Sequence, residues 1–522
     1  MAGKTDARLF LLLAVPLLVS FYSFSAAHSG YAFPFHTDEW QHLAQSIQLV
    51  KDAGFAANHP YFPGQKMGNP PELGYHFLQA QLLLSTGLPP AEFALFFSQL
   101  VAVLGIVGAF VLGRRLTGSF SAGFFAALFY SFLRSDITFL GVLFAVPVAA
   151  GVAVLPFSLL FLHFYFSEGR KVGIFLFAAS VAAMVFIHVP FAVAALFAAV
   201  PYSMFRLVIG KLDFKGFLKA TALFAVLAAV ALAAFSHLWL GGSVEASASA
   251  LASRLSFPGH SEDAEGFVKN FDLAGFLGLP VLFLAAAGGV YSLRKKPLLT
   301  VAAWCVPLFA IWYYFSLERV AYFLPYRRAS YYFAAGLALL AGIGAYALAN
   351  GFVWLLKNFF LLIRKTIRVS SAEAGRLCSF SGFLAFACLA VFVAGQQLPL
   401  FSQDPAQYYH DIETGQASLV EWAAQNVPPG TVLSYSHVSV AVTPLSFNKF
   451  GVCTVVPAQL GGGEDRDFVD AAITWDCPSI HGLAEKCGAS YVLIQKPLSC
   501  EKQFELLKQE GADYFYQVKR AS

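Results

Sequence analysis

The 522-residue chain has little formal charge: only 12% of its residues are Asp, Glu, Lys or Arg, whereas 58% are apolar. Soluble globular proteins carry about 25% charged residues. The composition therefore excludes an ordinary cytosolic enzyme, a disordered protein and a coiled coil. A net charge of +4 is too small to indicate nucleic acid as a partner. The mean hydropathy of +0.65 and the 55 phenylalanines indicate a polytopic membrane protein.

Eleven long apolar runs are each near the length that crosses a bilayer as a helix, so we predict about eleven transmembrane helices. The runs lie at 8–28, 92–113, 119–134, 139–166, 172–188, 190–209, 218–240, 273–293, 298–317, 330–350 and 379–397. The first run is longer than the apolar part of a typical signal peptide, which favours a retained span over a cleaved signal.

The moderately apolar segment 72–88 is interpreted as a helix on the outer membrane surface. Leaving it out of the span count places Arg114 and Arg115 inside the cell, as the positive-inside rule prefers. The inner loops then hold 18 bases and 4 acids, and the outer loops before residue 400 hold 8 bases and 12 acids. We therefore predict a multi-pass protein of the plasma membrane with a cytoplasmic N-terminus and its C-terminal part outside.

Charge density nearly doubles after residue 399, from 42 charged residues among 399 to 22 among 123. We predict a transmembrane domain over 1–399, with a long first outer loop at 29–91, and a small extracytoplasmic α/β domain over 400–522. Strands are expected at 431–436, 451–456 and 491–496, and helices at 418–427, 466–475, 480–486 and 500–510.

Four of the seven cysteines, Cys453, Cys477, Cys487 and Cys500, lie in this C-terminal part. They could form two disulfides, for which three pairings exist, or remain four buried thiols. Zinc is not indicated, because no C-x2-C pair is present.

Two adjacent carboxylates, Asp38 and Glu39, follow the first apolar run at the start of a helical pattern over 40–53. Thr37 or Asp38 could be the N-cap of that helix, where an acid also suits the helix dipole. The alternative is chemical: a positioned carboxylate can act as general base towards an acceptor hydroxyl or amine.

Further charges occur in later outer loops. Arg134 and Asp136 lie in the short turn after the third run, and Arg327 and Arg328 precede the tenth run on the side where bases are disfavoured. A guanidinium matches phosphate geometry with two hydrogen bonds, so these arginines could anchor a phosphate, with lipid-headgroup contact as the alternative. The runs contain almost no formal charge, and each charged residue lies at the end of a run or in a loop, which argues against an ion-coupled transporter.

Four short motifs resemble those of the GT-C superfamily of polytopic glycosyltransferases, which take sugars from polyprenyl-phosphate or polyprenyl-diphosphate donors. The family includes protein O-mannosyltransferases, aminoarabinose transferases and oligosaccharyltransferases. The motifs are DEWQH at 38–42, NPPELGYH at 69–76, GRRL at 113–116 and RSD at 134–136. The C-terminal part is also similar to the outer domains of such proteins.

The resemblance implies an inverting sugar transfer on the outer face of the membrane, with Asp38 as the catalytic base and Glu39 beside it in donor or acceptor binding. It also implies five substrate-binding residues: His42, Arg134, Asp136, Arg327 and Arg328. Either Arg327 or Arg328 would hold the donor phosphate. Some of these side chains could instead hold a divalent cation, Mg or Mn: Asp38, Glu39 and His42, with His36 or Asp136.

The oligosaccharyltransferase motif W-W-D-Y-G is missing, and the nearest string is TWDC at 474–477. We therefore expect transfer of a single sugar to a lipid-linked glycan, a lipid or a protein. The rival hypotheses are a transporter or flippase of lipid-linked sugars and a non-catalytic membrane receptor. A metalloprotease is disfavoured, because Asp38 replaces the first His of H-E-x-x-H.

Overall fold

The computed structural model describes residues 2–54, 58–62, 64–65, 72–135, 141–208, 271–320, 324–367, 410–455 and 476–519, with single positions 218, 222, 388, 391, 392 and 395. Most of the described chain is helical. It divides into two compact units. The helical unit comprises Met1–Ala27, Gln99–Leu143 and Pro147–Asp404, and the mixed unit comprises His28–Ser98, Phe144–Val146 and Pro405–Ser522.

The described helices and strands follow one another in this order: α1 Ala2–Ala27, α2 Thr37–Asp52, α3 Leu73–Thr86, α4 Pro90–Thr117, α5 Phe120–Ser131, α6 Pro147–Glu168, α7 Lys171–Ile187, α8 Val189–Val208, α9 Leu273–Leu277, α10 Leu279–Arg294, α11 Leu299–Glu318, α12 Tyr326–Ile367, α13 Thr414–Asn426, β1 Gly430–Leu433, α14 Ser436–Leu445, β2 Phe450–Val452, α15 Cys477–Lys486, β3 Tyr491–Ile494, β4 Phe504–Glu510 and β5 Asp513–Val518.

Four of the described helices are long and apolar enough to cross a membrane: α4, α6, α11 and the Tyr326–Phe359 part of α12. Shorter apolar helices account for five more of the predicted runs, at Leu12–Ala27, Phe120–Ser131, Lys171–Ile187, Val189–Met204 and Leu279–Arg294. The runs at 218–240 and 379–397 lie almost entirely outside the described residues. The total of about eleven spans therefore stays a prediction.

Within the helical unit, α12 packs against α10, α5 and α11. Its closest approach to α10 is backbone to backbone at Gly288 and Gly344. A Cβ at Gly288 would overlap the carbonyl oxygen of Leu340, and one at Gly344 would overlap that of Leu284. Small residues permit such contacts between apolar helices, whose association in lipid depends on close packing.

The mixed unit contains a five-stranded sheet in the order β2-β1-β3-β5-β4. β2, β1 and β3 are parallel, and β5 pairs antiparallel with both β3 and β4. Every residue of β3 is buried, which explains its continuous apolar sequence YVLI. The described core between the sheet and α15 includes Leu433, Ile480, Leu483 and Val492.

Residues of the first predicted outer loop belong to the mixed unit and bond directly to its C-terminal part. The backbone N–H of Val452 in β2 donates to the carbonyl of Tyr61 at 2.8 Å, and the Tyr61 hydroxyl donates to the carbonyl of Val440 at 3.1 Å. In the middle of α2, the carbonyl of Ala44 accepts from the Asn448 amide at 2.8 Å. Chain segments almost 400 residues apart in sequence thus form one folded unit. The domain boundary at 399/400 stays a prediction.

The sequence predicts a helix at 500–510, and the structure differs there. The structure forms strand β4 at Phe504–Glu510. Glu, Leu, Lys and Gln are good helix formers, but pairing with β5 along this edge overrides that preference. The predicted strand at 431–436 is shorter than expected, because α14 begins at Ser436.

The four C-terminal cysteines form two disulfides, Cys453–Cys487 and Cys477–Cys500. The first joins the end of β2 to the end of α15, and the second joins the start of α15 to the segment before β4. These pairs settle the alternatives that the sequence left open in favour of bridged cysteines.

We predict that digestion of the unreduced protein releases a peptide pair containing Cys453 and Cys487, detectable by mass spectrometry. Replacing both cysteines by alanine removes a cross-link around a 34-residue separation and should lower the free energy of unfolding by about 2–4 kcal/mol. The free, exposed Cys388 supplies the control variant Cys388→Ser, which should leave both linkages intact. Recovery of Cys453 as a free thiol would contradict the assignment.

Candidate functional site

Helix α2 begins at a capping box built from the sequence FHTDEW. His36 has an extended backbone (φ −135°, ψ 141°), and its Nδ1 accepts the N–H of Asp38 at 3.1 Å. In return, Oε2 of Glu39 accepts the N–H of His36 at 3.1 Å. The expected cap at Thr37 or Asp38 is therefore wrong by one or two residues, and the imidazole performs the role usually taken by a short oxygen-bearing side chain.

Glu39 is buried at 2% exposure, and its carboxylate accepts three backbone N–H groups. Oε2 also accepts from Phe35 at 2.8 Å, and Oε1 accepts from Ala145 at 2.7 Å. Because Ala145 is 106 residues away in sequence, this one side chain fixes the approach to α2 against a distant part of the same unit.

Burial raises the pKa of Glu39 to about 8. The negative charge of Asp38 acts in the same direction, whereas the three backbone donors oppose the shift by stabilising the charged form. With a pKa of about 8, most of the Glu39 carboxyl is protonated near neutral pH, so Glu39 is a poor candidate for the residue that takes a proton from an acceptor.

Asp38 differs from its neighbour by remaining accessible. Its side chain is 32% exposed, and Oδ1 lies 3.8 Å from Nδ1 of His36. It occupies the first turn of α2, where the unpaired N–H groups favour negative charge. Of the two adjacent acids, Asp38 is thus the one able to meet a substrate.

A third acid, Asp411, lies close to this pair. It is 4% exposed, and the charges of Glu39 and Asp38 contribute to a pKa of about 8, after the larger effect of burial. Asp411 could not be recognised from the sequence, because it follows the last apolar run in a short polar stretch without a motif.

His42 lies one turn after Asp38 and is held by a polar network instead of being free to rotate. Its Nδ1 and the Nε2 of His76 in α3 share a hydrogen bond of 2.8 Å. Burial, followed by the neighbouring His42, lowers the pKa of His76 to about 3, so His76 is neutral. Ser46 extends the network by donating to Gln79 at 2.8 Å, which attaches α3 to α2.

The side chains considered as metal ligands do not converge on a cation position. Glu39 uses both oxygens for backbone N–H groups, and Nδ1 of His42 is engaged by His76. Within the described ranges, no group of three or more His, Cys, Asp or Glu side chains is placed to hold a metal ion. Asp136 lies outside those ranges. A divalent cation stays a prediction from the sequence, and no step below depends on it.

The predicted arginines belong to the helical unit. Arg134 donates to the carbonyl of Gly275 at 3.0 Å, and Arg327 and Arg328 are half-buried in the first turn of α12. The chain beside Arg134 contacts α12, since Ser135 and Tyr331 share a hydrogen bond of 3.2 Å. The structure thus gathers Asp38, Glu39 and His42 in one unit, and Arg134 with the start of α12 in the other.

No protein-family model and no curated protein sequence matches the chain. Solved structures do match. ArnT from Cupriavidus metallidurans in the apo state has a TM-score of 0.57 at 14% identity, covering 98% of each chain. The same protein bound to undecaprenyl phosphate gives 0.56 at 14% identity, covering 99% of this chain and 98% of that one. The arabinofuranosyltransferase AftD from Mycobacteria gives 0.54 at 14% identity, covering 99% of this chain and 40% of that one.

These likenesses extend over nearly the whole chain and show its fold, which is that of the GT-C glycosyltransferases. They confirm the fold that the sequence motifs indicated. Together with the apolar helices, they identify a multi-pass membrane protein.

We predict that Glu39→Ala lowers the free energy of unfolding by at least about 3 kcal/mol, because three buried N–H groups lose their acceptor. Glu39→Gln should cost less, since its amide oxygen still accepts. Glu92→Ala, at an exposed acid in the first turn of α4, is the control and should have little effect. Thermal unfolding of the purified protein measures the difference. Equal melting temperatures for Glu39→Ala and Glu92→Ala would contradict this role.

Proposed function

We propose that this protein is a membrane glycosyltransferase that moves a single sugar from a polyprenyl-phosphate donor to an acceptor, with Asp38 as the general base. The observation that carries the proposal is the accessible Asp38 carboxylate, fixed by buried Glu39 at the start of α2, in a chain with the GT-C fold. The similar structure that contains undecaprenyl phosphate supports a donor of this lipid class.

In the proposed reaction, an acceptor oxygen attacks the anomeric carbon of the sugar. A new carbon–oxygen bond forms on one face as the bond to the phosphate oxygen breaks on the other, so the configuration inverts. Polyprenyl phosphate leaves with the bonding electrons, and Asp38 takes the acceptor proton. The acceptor is a lipid-linked glycan, a lipid or a protein.

The leaving phosphate needs positive charge close to it. We assign this role to Arg327 or Arg328, which begin α12 and carry permanently charged guanidinium groups. Arg134 and Asp136, in the turn after the third apolar run, are proposed together with His42 to complete the binding of substrate. Asp136 would support the acceptor or a metal ion.

An outer-face location follows from the loop charges and receives support from the two disulfides, because disulfides persist in oxidising compartments. We therefore place the mixed unit on the extracytoplasmic side of the plasma membrane and the N-terminus in the cytoplasm.

We predict that Asp38→Asn abolishes sugar transfer without unfolding the protein, because the amide keeps the shape of the side chain but cannot accept the proton. Purified membranes would be supplied with radiolabelled polyprenyl-phosphate sugars and native lipid extract, and label in the acceptor fraction would be counted. General-base catalysis contributes on the order of 10²–10⁴-fold, so a loss of that size is expected.

Asp52→Asn is the matched control, since it makes the same chemical change at the last residue of the same helix. It should transfer sugar at the wild-type rate. Equal transfer by Asp38→Asn and Asp52→Asn would remove Asp38 from the mechanism. Movement of intact lipid-linked sugar across the bilayer by Asp38→Asn, with no transfer by the wild type, would favour the transporter or flippase hypothesis.

A further inference from the structure

An open cavity in the mixed unit contains none of the residues assigned to sugar transfer. Its volume is about 710 Å³, within the range of roughly 300–1,000 Å³ that is typical of small-molecule sites. The end of α2, the start of α4, helix α13 and the end of α14 with the loop after it form its walls. The lining includes Lys51, Glu92, Glu421, Leu445, Phe447 and Lys449.

The lining carries two lysines and two glutamates, so its formal charge is zero. Within the described part of the chain, no ion pair joins either acid to either lysine. Backbone carbonyls hold the lysines instead: Nζ of Lys51 donates to Asn448 at 2.7 Å, and Nζ of Lys449 donates to Ala424. Because an ammonium has three N–H groups, each lysine keeps donors for a ligand. Opposite charges therefore line one cavity without neutralising each other directly.

The two acids of the cavity, Glu92 and Glu421, lie close enough to interact. Partial burial, followed by the charge of Glu92, raises the pKa of Glu421. Both side chains are exposed, so both can reach a ligand. A ligand ammonium between them would remove their repulsion and donate charge-assisted hydrogen bonds to them.

The loop after α14 presents an aromatic ring to the cavity. Phe447 and Asn448 have left-handed backbones, with φ of 52° and 53°, which side chains of this size rarely adopt. Their N–H groups donate to Pro444 at 3.0 Å and to Thr443 at 2.8 Å, which holds the loop in this shape. The Phe447 ring is 51% exposed and lines the cavity. It offers an apolar surface beside the four charges.

The cavity lies at one end of a helix that is long and apolar enough to cross a membrane. Glu92 is in the first turn of α4, Pro90–Thr117, at the end that we place outside the cell. The start of a spanning helix lies at the level of the lipid headgroups. A ligand at this level that carries an ammonium, a phosphate and an apolar part would satisfy the acids, the lysines and the ring together.

We propose that this cavity binds the headgroup of a phosphoethanolamine lipid from the outer leaflet. Glu92 and Glu421 accept from its ammonium, Lys51 and Lys449 donate to its phosphate, and Phe447 contacts its glycerol and upper acyl chains. A phosphatidylglycerol lacks the ammonium and leaves the acids uncompensated, and a phosphatidylcholine has no N–H for them to accept. The binding of this lipid does not depend on the sugar-transfer reaction.

The test is native mass spectrometry of the purified protein in detergent, titrated separately with phosphatidylethanolamine, phosphatidylglycerol and phosphatidylcholine. The wild type should bind phosphatidylethanolamine most tightly. The double variant Glu92→Gln with Glu421→Gln keeps the shape of both side chains but removes their charge. Its affinity for phosphatidylethanolamine should fall about tenfold, because charge-assisted hydrogen bonds to the ammonium are lost. Its affinity for phosphatidylglycerol should not fall.

The matched control is Glu505→Gln with Glu510→Gln, which makes the same change at two exposed acids of β4 outside the cavity. It should bind all three lipids as the wild type does. Lys51→Gln, at an exposed residue in the last turn of α2, is the complementary variant. It should weaken phosphatidylethanolamine and phosphatidylglycerol alike, because both carry the phosphate. It also keeps the test decisive if the double variant does not fold.

A selective loss of phosphatidylethanolamine in the acid variant, with a loss of both lipids in Lys51→Gln, supports the site. Equal binding of phosphatidylethanolamine by the acid variant and its control would overturn it, as would equal binding of the three lipids by the wild type. Soluble phosphoethanolamine is the competitor that separates the two sources of this headgroup. Displacement of the lipid by an equal concentration of it would identify a free phosphoethanolamine compound as the occupant and overturn the assignment to a lipid. None of these results requires sugar transfer, so failure of this site and failure of the proposed function are distinguishable.

Discussion

A buried glutamate that accepts three backbone N–H groups is the constraint on which the candidate site depends. Glu39 satisfies donors of Phe35 and His36 before α2 and of Ala145 far along the chain. Removing the acceptor would leave those donors buried and unpaired, so the loop has little freedom to rearrange. Because Glu39 fixes the start of α2, the backbone of the adjacent Asp38 is also fixed, while the Asp38 side chain stays accessible. One capping arrangement thus places an accessible acid beside a buried, structural acid.

The arrangement of acids at the start of α2 is important because the chain contains little charge elsewhere. With 12% charged residues and long apolar helices, the protein has few places where a charged side chain can be kept without a large desolvation cost. The mixed unit supplies such a place by joining the segment after the first helix to the C-terminal sheet. Its hydrogen bonds from Val452 to Tyr61 and from Asn448 to Ala44 make these distant segments mutually dependent. Asp38 and Glu39 therefore lie in a folded polar unit that fixes their positions.

The parts that could be predicted from the sequence are those with a local signal. Apolar periodicity predicted α2 at 40–53 and α3 at 72–88, close to the observed Thr37–Asp52 and Leu73–Thr86, and the break at His188 separates α7 from α8. The buried strand β3 was predicted from its continuous apolar run. Short motifs indicated the fold that the solved structures confirm.

The parts that could not be predicted depend on contacts between distant segments. The Ala145 N–H that binds Glu39 leaves no trace in side-chain identity, because any residue supplies a backbone donor. Asp411 has its environment set by Tyr31 and Glu39, almost 400 positions away. Strand β4 contains helix-favouring residues, and its partner β5 decides its conformation. The local sequence pattern therefore could not predict the Ala145 contact, the environment of Asp411 or the conformation of β4.

The central claim is that Asp38 faces the reacting sugar, and the most direct measurement is an electron cryo-microscopy structure of Asp38→Asn with an intact polyprenyl-phosphate sugar bound. The account predicts that the side chain of residue 38 lies within hydrogen-bond reach of the position an acceptor oxygen takes opposite the sugar–phosphate bond. A donor bound with its anomeric carbon remote from α2 would contradict it.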